Sequence, residues 1–370
     1  MIFFYIIVLA VLAVFITYTA LRGWQALRSH RLARNVYLWA TLAWYACLFG
    51  AFFIPSTSPA AKPIAFIGFS ALFFYFYLLL MFVVVDLVRT ANYFLRFAPK
   101  GMIAFRKYTL LASFAVISVL MIVGNRNFNR QVVVELNLSI LNNKPVQNRE
   151  LRIAALSDIH LGVSFDRNWL QRAVQLINEQ NPDIVLMVGD LVDNTLAPLW
   201  AQSMYEEFWE INAPLGVFAV PGNHEYYGEG IDYVIEFFRR GNVLMLRDSV
   251  VLVDNSFYIV GRDDFMIRNR KPLDLLIYGI KHEKPIILLD HQPFNLKEAE
   301  KNGVDLQISG HTHNGQFFPI NLIANRIFEV AHGHAVRGNT HYYVSSGLAI
   351  WGPQYRIGTQ SEIVVINFSF

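Results

Sequence analysis

Apolar positions run almost unbroken through the first 125 residues, and four stretches, 2–21, 36–54, 64–85 and 108–124, contain no charged side chain. Each is close to the roughly 20 residues that cross a hydrocarbon core as a helix. The expectation is four transmembrane helices, the last the shortest. A cleavable signal peptide is the rival for the first stretch. No basic segment precedes it, however, and its apolar run exceeds the roughly 7–15 residues of a signal core. Beyond about residue 125 the pattern changes. Short apolar runs at 151–158, 182–190, 216–225, 285–293 and 304–313, rich in β-branched residues, each end in a polar cluster and predict buried strands. Between them, 167–181 and 230–242 carry apolar residues at helical spacing. Strands alternating with helices predict an α/β domain over 151–370, preceded by a linker and first strand at 126–150. The stretches 243–264 and 341–368 resemble antiparallel meanders, so a mixed two-sheet sandwich flanked by helices is expected.

Composition agrees with the membrane reading: 54% of residues are hydrophobic and mean hydropathy is +0.35, too apolar for an ordinary soluble domain. Arg22, Arg28, Arg31 and Arg34 fill the first loop, and Arg89, Arg96, Lys100, Arg106 and Lys107 the third. The second has only Lys62. By the positive-inside rule, loops one and three face the cytoplasm of a multi-pass plasma (inner) membrane protein, and the C-terminal domain lies outside it. The single cysteine, Cys47, sits in the second apolar stretch, so no intrachain disulfide exists. The net charge of +3 comes largely from the membrane loops and implies no nucleic-acid partner. No obligate protein partner is implied either.

Five strand-like runs end in chemistry: Asp158 and His160; Asp190 and Asp193; Asn223 and His224; His291; His311 and His313. In an open α/β sheet such ends converge on one ligand-binding edge. In extended backbone, residues two apart point the same way, so Asp158 with His160, and His311 with His313, form two-pronged claws. Imidazole and carboxylate together suit manganese, iron or zinc. Gly189 and Gly310, just before such residues, leave room for close approach. With Asp158 and Asp190 as the only anionic ligands, two divalent ions leave a surplus of about +2 for a phosphate and a hydroxide. Two ions roughly 3.5–4 Å apart position water for in-line attack on phosphorus, and no serine or cysteine nucleophile is needed. A lone Asp-x-His is more often a turn or surface pair than a ligand set, whereas five ordered clusters are not. His332 and His334 in "AHGH" share the spacing but follow no clear strand and read as a loop.

Together, "LSDIHLG", "GDLVD", "GNHE", "DHQP" and "GHTHNGQ" resemble the calcineurin-like metallophosphoesterase family over residues 151 to about 370. The resemblance implies a four-layer αββα sandwich holding two divalent ions, manganese preferred. One would be bound by Asp158, His160, Asp190 and His313, and the other by Asp190, Asn223, His291 and His311, with Asp190 bridging. His224 would face the leaving-group oxygen, with Asp193 hydrogen-bonding its other ring nitrogen. Glu225 would support the loop. Asn194 and Thr195 stand where the protein serine/threonine phosphatase branch has Arg-Gly, which speaks against phosphoprotein substrates. The ending "SSGLAIWGPQYRIGTQSEI" looks more like the bacterial membrane-anchored branch, which is similar to UDP-2,3-diacylglucosamine hydrolases of lipid A synthesis. Arg356 is open between a phosphate contact and a salt bridge.

The expected function is a membrane-anchored phosphoesterase or pyrophosphatase that uses metal-activated hydroxide on a phospholipid or nucleotide-lipid. The apolar stretch "QFFPINLIANRIF" (316–328) follows a claw and reads either as core or as a lip for acyl chains. UDP-diacylglucosamine is cytoplasmic, which conflicts with the loop charges unless the substrate is an external lipid phosphate. The alternatives are a general phosphodiesterase or phosphatase and a non-catalytic metal-binding sensor. A transporter would need ionisable groups within its spans, and only Asp86 lies at a boundary.

Overall fold

The computed structural model describes the backbone of residues 2–97, 102–140 and 149–370, and side chains throughout these except for 2–9 and 102–105. Part of the predicted linker, 141–148, and Lys100 lie outside the described residues. The chain divides into two compact units, Met1–Asn125 and Arg126–Phe370.

The first unit is helical: α1 (Ile2–Ala26), α2 (Arg31–Gly50), α3 (Ala61–Leu95) and α4 (Met102–Asn129, whose last turn enters the second unit). Among the described residues, two helices are long and apolar enough to cross a membrane: α3, and α4 over Arg106–Asn129. The expectation of four spans is corrected to these two. In α2 the reason is local. The helix opens on Arg31 and Arg34 and stops at Gly50, four residues short of the predicted end at Ile54. What it buries is partly polar: the Tyr37 hydroxyl donates to the Thr19 carbonyl at 2.8 Å, and Tyr75 donates to the Thr41 hydroxyl at 2.6 Å. Such bonds satisfy hydroxyls that an apolar interior would otherwise penalise.

The second unit contains two six-stranded sheets. The first has the order β1 (Val132–Ser139), β12 (Glu362–Ser369), β2 (Glu150–Leu156), β3 (Ile184–Val188), β4 (Val217–Val220) and β5 (Val243–Met245). The second runs β10 (Gly333–Arg337), β11 (Thr340–Val344), β9 (Leu306–Ser309), β8 (Ile286–Leu289), β7 (Phe257–Gly261) and β6 (Ser249–Val253). Both are mixed: β2 through β5 are parallel, as are β7, β8, β9 and β11, whereas β12 with β2, β6 with β7, and β10 with β11 are antiparallel.

Side-chain alternation along each strand builds the layers. In β2 and β3, Ile153, Ala155, Ile184, Leu186 and Val188 meet Ile259, Ile287, Leu289 and Ile308 of the facing sheet. The intervening Ala154, Leu156, Val185 and Met187 pack under α5 (Arg167–Asn178) and the short helices α6 (Ala197–Ala201), α7 (Tyr205–Trp209) and α8 (Ile231–Arg240). On the far side, Ile286 and Leu288 lie beneath α9 (Leu273–Leu276) and α10 (Leu296–Lys301). The remaining helix, α11 (Ile320–Ile327), follows β9. This is an α/β sandwich with mixed sheets in αββα order.

Two meander expectations are corrected. In 243–264, β5 joins the first sheet parallel to β4, and only β6 and β7 form a hairpin, in the other sheet. Likewise β11 and β12 lie in different sheets, because Gly347 and Gly358, both at left-handed φ, turn the chain from one layer to the other. β1, lying within the 126–150 stretch expected to hold a linker and first strand, pairs in parallel with β12 over its full length.

Candidate metal centre

The strand ends of both sheets bring Asp158, His160, Asp190, His224, His291, His311 and His313 together in three clusters. Asp158, His160 and His313 form one; His160, Asp190 and His224 a second; Asp190, His291 and His311 a third, all ligand atoms within a cluster lying within 4.8 Å. The two histidines of "GHTH" therefore serve different clusters, and Asp190 belongs to two.

The claw geometry is corrected. β2 ends at Leu156 and β9 at Ser309, so Asp158, His160, His311 and His313 sit in loops past the strands and not in extended backbone. All four, and Asp190, have left-handed φ between 47° and 71°. Non-glycine residues seldom adopt that conformation, and it is held here by surrounding structure. The Asp158 carboxylate accepts the His311 amide at 3.1 Å and its own amide donates to the Gly189 carbonyl at 3.0 Å, tying the two sheets' loops to one another. Gly189 has φ +75°, and a Cβ there would lie 2.5 Å from the His291 ring. At Gly310 a Cβ would lie 2.5 Å from an Asp158 oxygen.

The interatomic distances suit shared coordination. Ligands held at roughly 2.0–2.2 Å from one ion stand about 3–3.5 Å apart. His313 Nε2 lies 3.4 Å from Asp158 Oδ1, His291 Nε2 3.2 Å from Asp190 Oδ2, and His160 Nε2 3.4 Å from His313 Nε2. His160 Nε2 is 3.9 Å and His224 Nε2 4.0 Å from Asp190 Oδ2. Asn223 Oδ1 and His291 Nε2 are buried without a hydrogen-bond partner among the described residues, an arrangement that a cation beside Asp190 relieves. His291 Nδ1 lies 2.8 Å from the Val188 carbonyl, which directs Nε2 toward Asp190. The residues present fit divalent ions.

Electrostatics differ between the rings: burial works against the His291 charge, yet Asp190 and Asp158 outweigh it and raise this ring well above its ordinary range. Burial pushes His160 down to about 3, and burial with the neighbouring His291 charge pushes His311 down to about 4, so both stay neutral with a lone pair to give. Burial, opposed by His291 but reinforced by Asp190, raises Asp158 to about 6. Burial also works against the Asp190 charge, yet His291 and His224 outweigh it and hold this carboxyl well below its ordinary range.

His224 departs from expectation in one atom. Its Nδ1 meets the main-chain carbonyl of Asp193, while the Asp193 carboxylate Oδ1 is 3.7 Å away and 4.0 Å from His160 Nδ1. The orienting residue is the predicted one, but the acceptor is backbone.

Four further residues have defined partners, Glu225 in the loop-supporting position expected of it. Glu225, fully buried, accepts the amides of Gly222, Asp190, Leu191 and Val192 at 2.6–3.0 Å and so clamps the Asp190 loop to the His224 turn. Arg356 touches neither open surface nor, among the described residues, a carboxylate within ion-pair distance. It is completely buried and donates to the carbonyls of Ser346, Gly347 and Ala349 at 2.7–3.0 Å and to Thr359, bracing the loop against which His313 sits. His334, the second residue of strand β10, stacks on His341, and His332 reaches the Glu362 carboxylate at 3.1 Å, so "AHGH" is only partly loop and, among the described residues, none of it joins the clusters. Past the His313 turn, Phe317 is buried and Phe318 is half exposed.

A fold of this kind with histidine and aspartate clusters at its strand ends defines a metallophosphoesterase. Residues 151–315 match the calcineurin-like phosphoesterase family. A metallophosphoesterase of Aquifex aeolicus is 32% identical over 228 residues, 59% of this chain and 85% of that protein. The chain belongs to the calcineurin-like phosphoesterase family. A Campylobacter jejuni metallophosphoesterase is 33% identical over 228 residues, and a Danio rerio "transmembrane protein with metallophosphoesterase domain" is 34% identical over 267, covering 60% and 68% of this chain. The chain spans 60% of the length of each of these two relatives.

Proposed function

We propose that this chain is a membrane-anchored, dinuclear phosphoesterase or pyrophosphatase acting on a lipid-linked phosphate. The observation that carries the chemistry is one buried carboxylate, Asp190, shared by two histidine clusters. Asp158, His160, Asp190 and His313 would hold one divalent ion, with manganese preferred, and Asp190, Asn223, His291 and His311 the other. Bound there, the ions supply Lewis acidity toward phosphoryl oxygens and a nucleophile from water at neutral pH. The chain's own residues do the rest. The Asp193 carbonyl accepts the Nδ1 proton of His224, leaving Nε2 to deliver a proton to the leaving oxygen. Glu225 keeps Asp190 and His224 in register.

The lipid reading is supported by the surface beyond the His313 turn. Phe318, Leu322, Ile323, Ile327 and Trp351 are 47–61% exposed, an apolar lip next to the metal loop. The purified protein with Mn²⁺ is expected to turn over a diacylated nucleotide-sugar such as UDP-2,3-diacylglucosamine, or a polyprenyl pyrophosphate, faster than a soluble nucleotide diester. Equal rates on lipid and soluble substrates would sink the lipid preference while leaving the phosphoesterase chemistry intact.

With α3 and α4 as the two spans, the side of the membrane follows from the same loop charges. The loop joining α3 to α4 carries Arg96 and Lys100, and the first turns of α4 carry Arg106 and Lys107, so this end faces the cytoplasm and whatever follows α4 emerges on the other side. A C-terminal alkaline phosphatase fusion should be active and a cytoplasmic reporter at the same position silent. The reverse pattern would put the domain in the cytoplasm and make UDP-2,3-diacylglucosamine the preferred substrate.

A further inference from the structure

The basic residues of the N-terminal unit converge in a way that orientation alone does not require. Arg22 of α1, Arg89 of α3 and Arg106 of α4 line one cleft together with Gln25, Asp86 and Thr109. Asp86 is the cleft's only carboxylate. It pairs with Arg22, accepts Arg89 at 3.0 Å and takes the Tyr18 hydroxyl at 2.7 Å. Three guanidinium groups facing one carboxylate leave the cleft short of negative charge, and Nε of Arg106 is buried with no hydrogen-bond partner among the described residues. Cations gathered between apolar helices are costly unless an anion shares the site.

The same helices, with α2, also line an apolar groove of about 330 Å³, its residues including Leu27, Val36, Ala40, Trp44, Phe74 and Leu110. Both cavities are lined by the end of α1 and by α3 and α4: Ala26, Phe82 and Thr109 line the cleft, and Leu27, Phe74 and Leu110 line the groove. A basic cleft and an apolar groove on the same three helices have the complementarity of an anionic phospholipid, charged at one end and aliphatic at the other.

We propose that the N-terminal helical unit binds an anionic phospholipid, with the phosphate on Arg22, Arg89 and Arg106 and an acyl chain in the groove past Ala40 and Trp44. The site rests on the membrane reading above and is independent of the metal centre. A soluble phosphate would meet the arginines but leave the groove unused, so the lipid is the occupant the two cavities fit together.

The test uses the full chain in detergent, examined by native mass spectrometry with added dioleoyl phosphatidylglycerol or dioleoyl phosphatidylcholine. Phosphatidylglycerol is expected to be retained in preference by about fivefold or more, the effect of a basic residue on an anionic lipid surface. Arg106→Gln should remove most of that preference, and Ala40→Phe, which fills the groove, should lower retention of the lipid. Equal retention of the two lipids by the unmodified chain overturns the proposal without reference to any variant. So does an Arg106→Gln protein with undiminished preference, or full displacement of the lipid by excess glycerol 3-phosphate. Resistance of the chain to extraction from membranes by alkaline carbonate checks the membrane reading separately, so its failure is distinguishable from failure of the lipid site.

Discussion

Asp190→Ala should strip the protein of metal and of turnover together, the largest single effect expected anywhere in the chain. Its carboxylate lies 3.2 Å from His291 Nε2 and 3.9 Å from His160 Nε2, so removing it takes an anionic ligand from two clusters at once. Several kcal/mol of transition-state stabilisation then disappear, a loss of roughly a thousandfold or more in rate. Asp190→Asn is the sharper variant. It keeps an oxygen to accept the His224 amide, which now donates to Oδ1 at 2.9 Å, and removes only the charge. Metal content by elemental analysis is expected to fall from about two ions per chain to less than one in both variants. Hydrolysis of a chromogenic phosphodiester should fall with it, while the far-ultraviolet circular dichroism stays that of the unmodified protein. If Asp190→Asn kept both ions and most of its rate, the shared-carboxylate assignment would be wrong.

How much of this was legible beforehand depends on the kind of contact. The five strand ends were readable because each apolar run is fully buried and stops abruptly at a polar residue, as at Met187 to Asp190. Which residues meet was readable too, since parallel strands deliver their C-terminal ends to one edge. The backbone at those ends was not. Side-chain alternation holds only while a strand continues, and β2 and β9 stop before Asp158 and His311, so the left-handed turns that aim these side chains leave no periodic trace. Arg356 was misjudged for a related reason. An arginine's partners are ordinarily sought among anions, whereas this one is satisfied by carbonyls of the Ser346–Ala349 turn, whose position depends on β11 and β12 lying in different sheets. In the N-terminal unit, hydropathy showed the apolar stretches but not where α2 ends, because the turn after Gly50 is as apolar as the helix before it.

His224→Ala should separate chemistry from metal binding. The ring's Nδ1 is engaged by the Asp193 carbonyl and its Nε2 stands 4.0 Å from Asp190 Oδ2, at the outer edge of the distances among the cluster atoms. Distance alone would admit it as a ligand, whereas the ring orientation fixed by the Asp193 carbonyl also suits a proton donor. The two roles predict different outcomes. As a proton donor, its loss leaves metal content near the unmodified value and lowers turnover by about 10²–10⁴-fold. As a ligand, its loss lowers metal content along with the rate. Leaving-group dependence adds a readout that mere loosening of the loop would not move. An aryl phosphoester whose leaving group needs no proton should be hydrolysed by His224→Ala at a rate much closer to that of the unmodified protein than an alkyl ester. Near-full activity on the alkyl ester would remove His224 from the mechanism. A drop in metal content equal to that of Asp190→Asn would move His224 into the ligand set and leave the proton donor to be sought elsewhere.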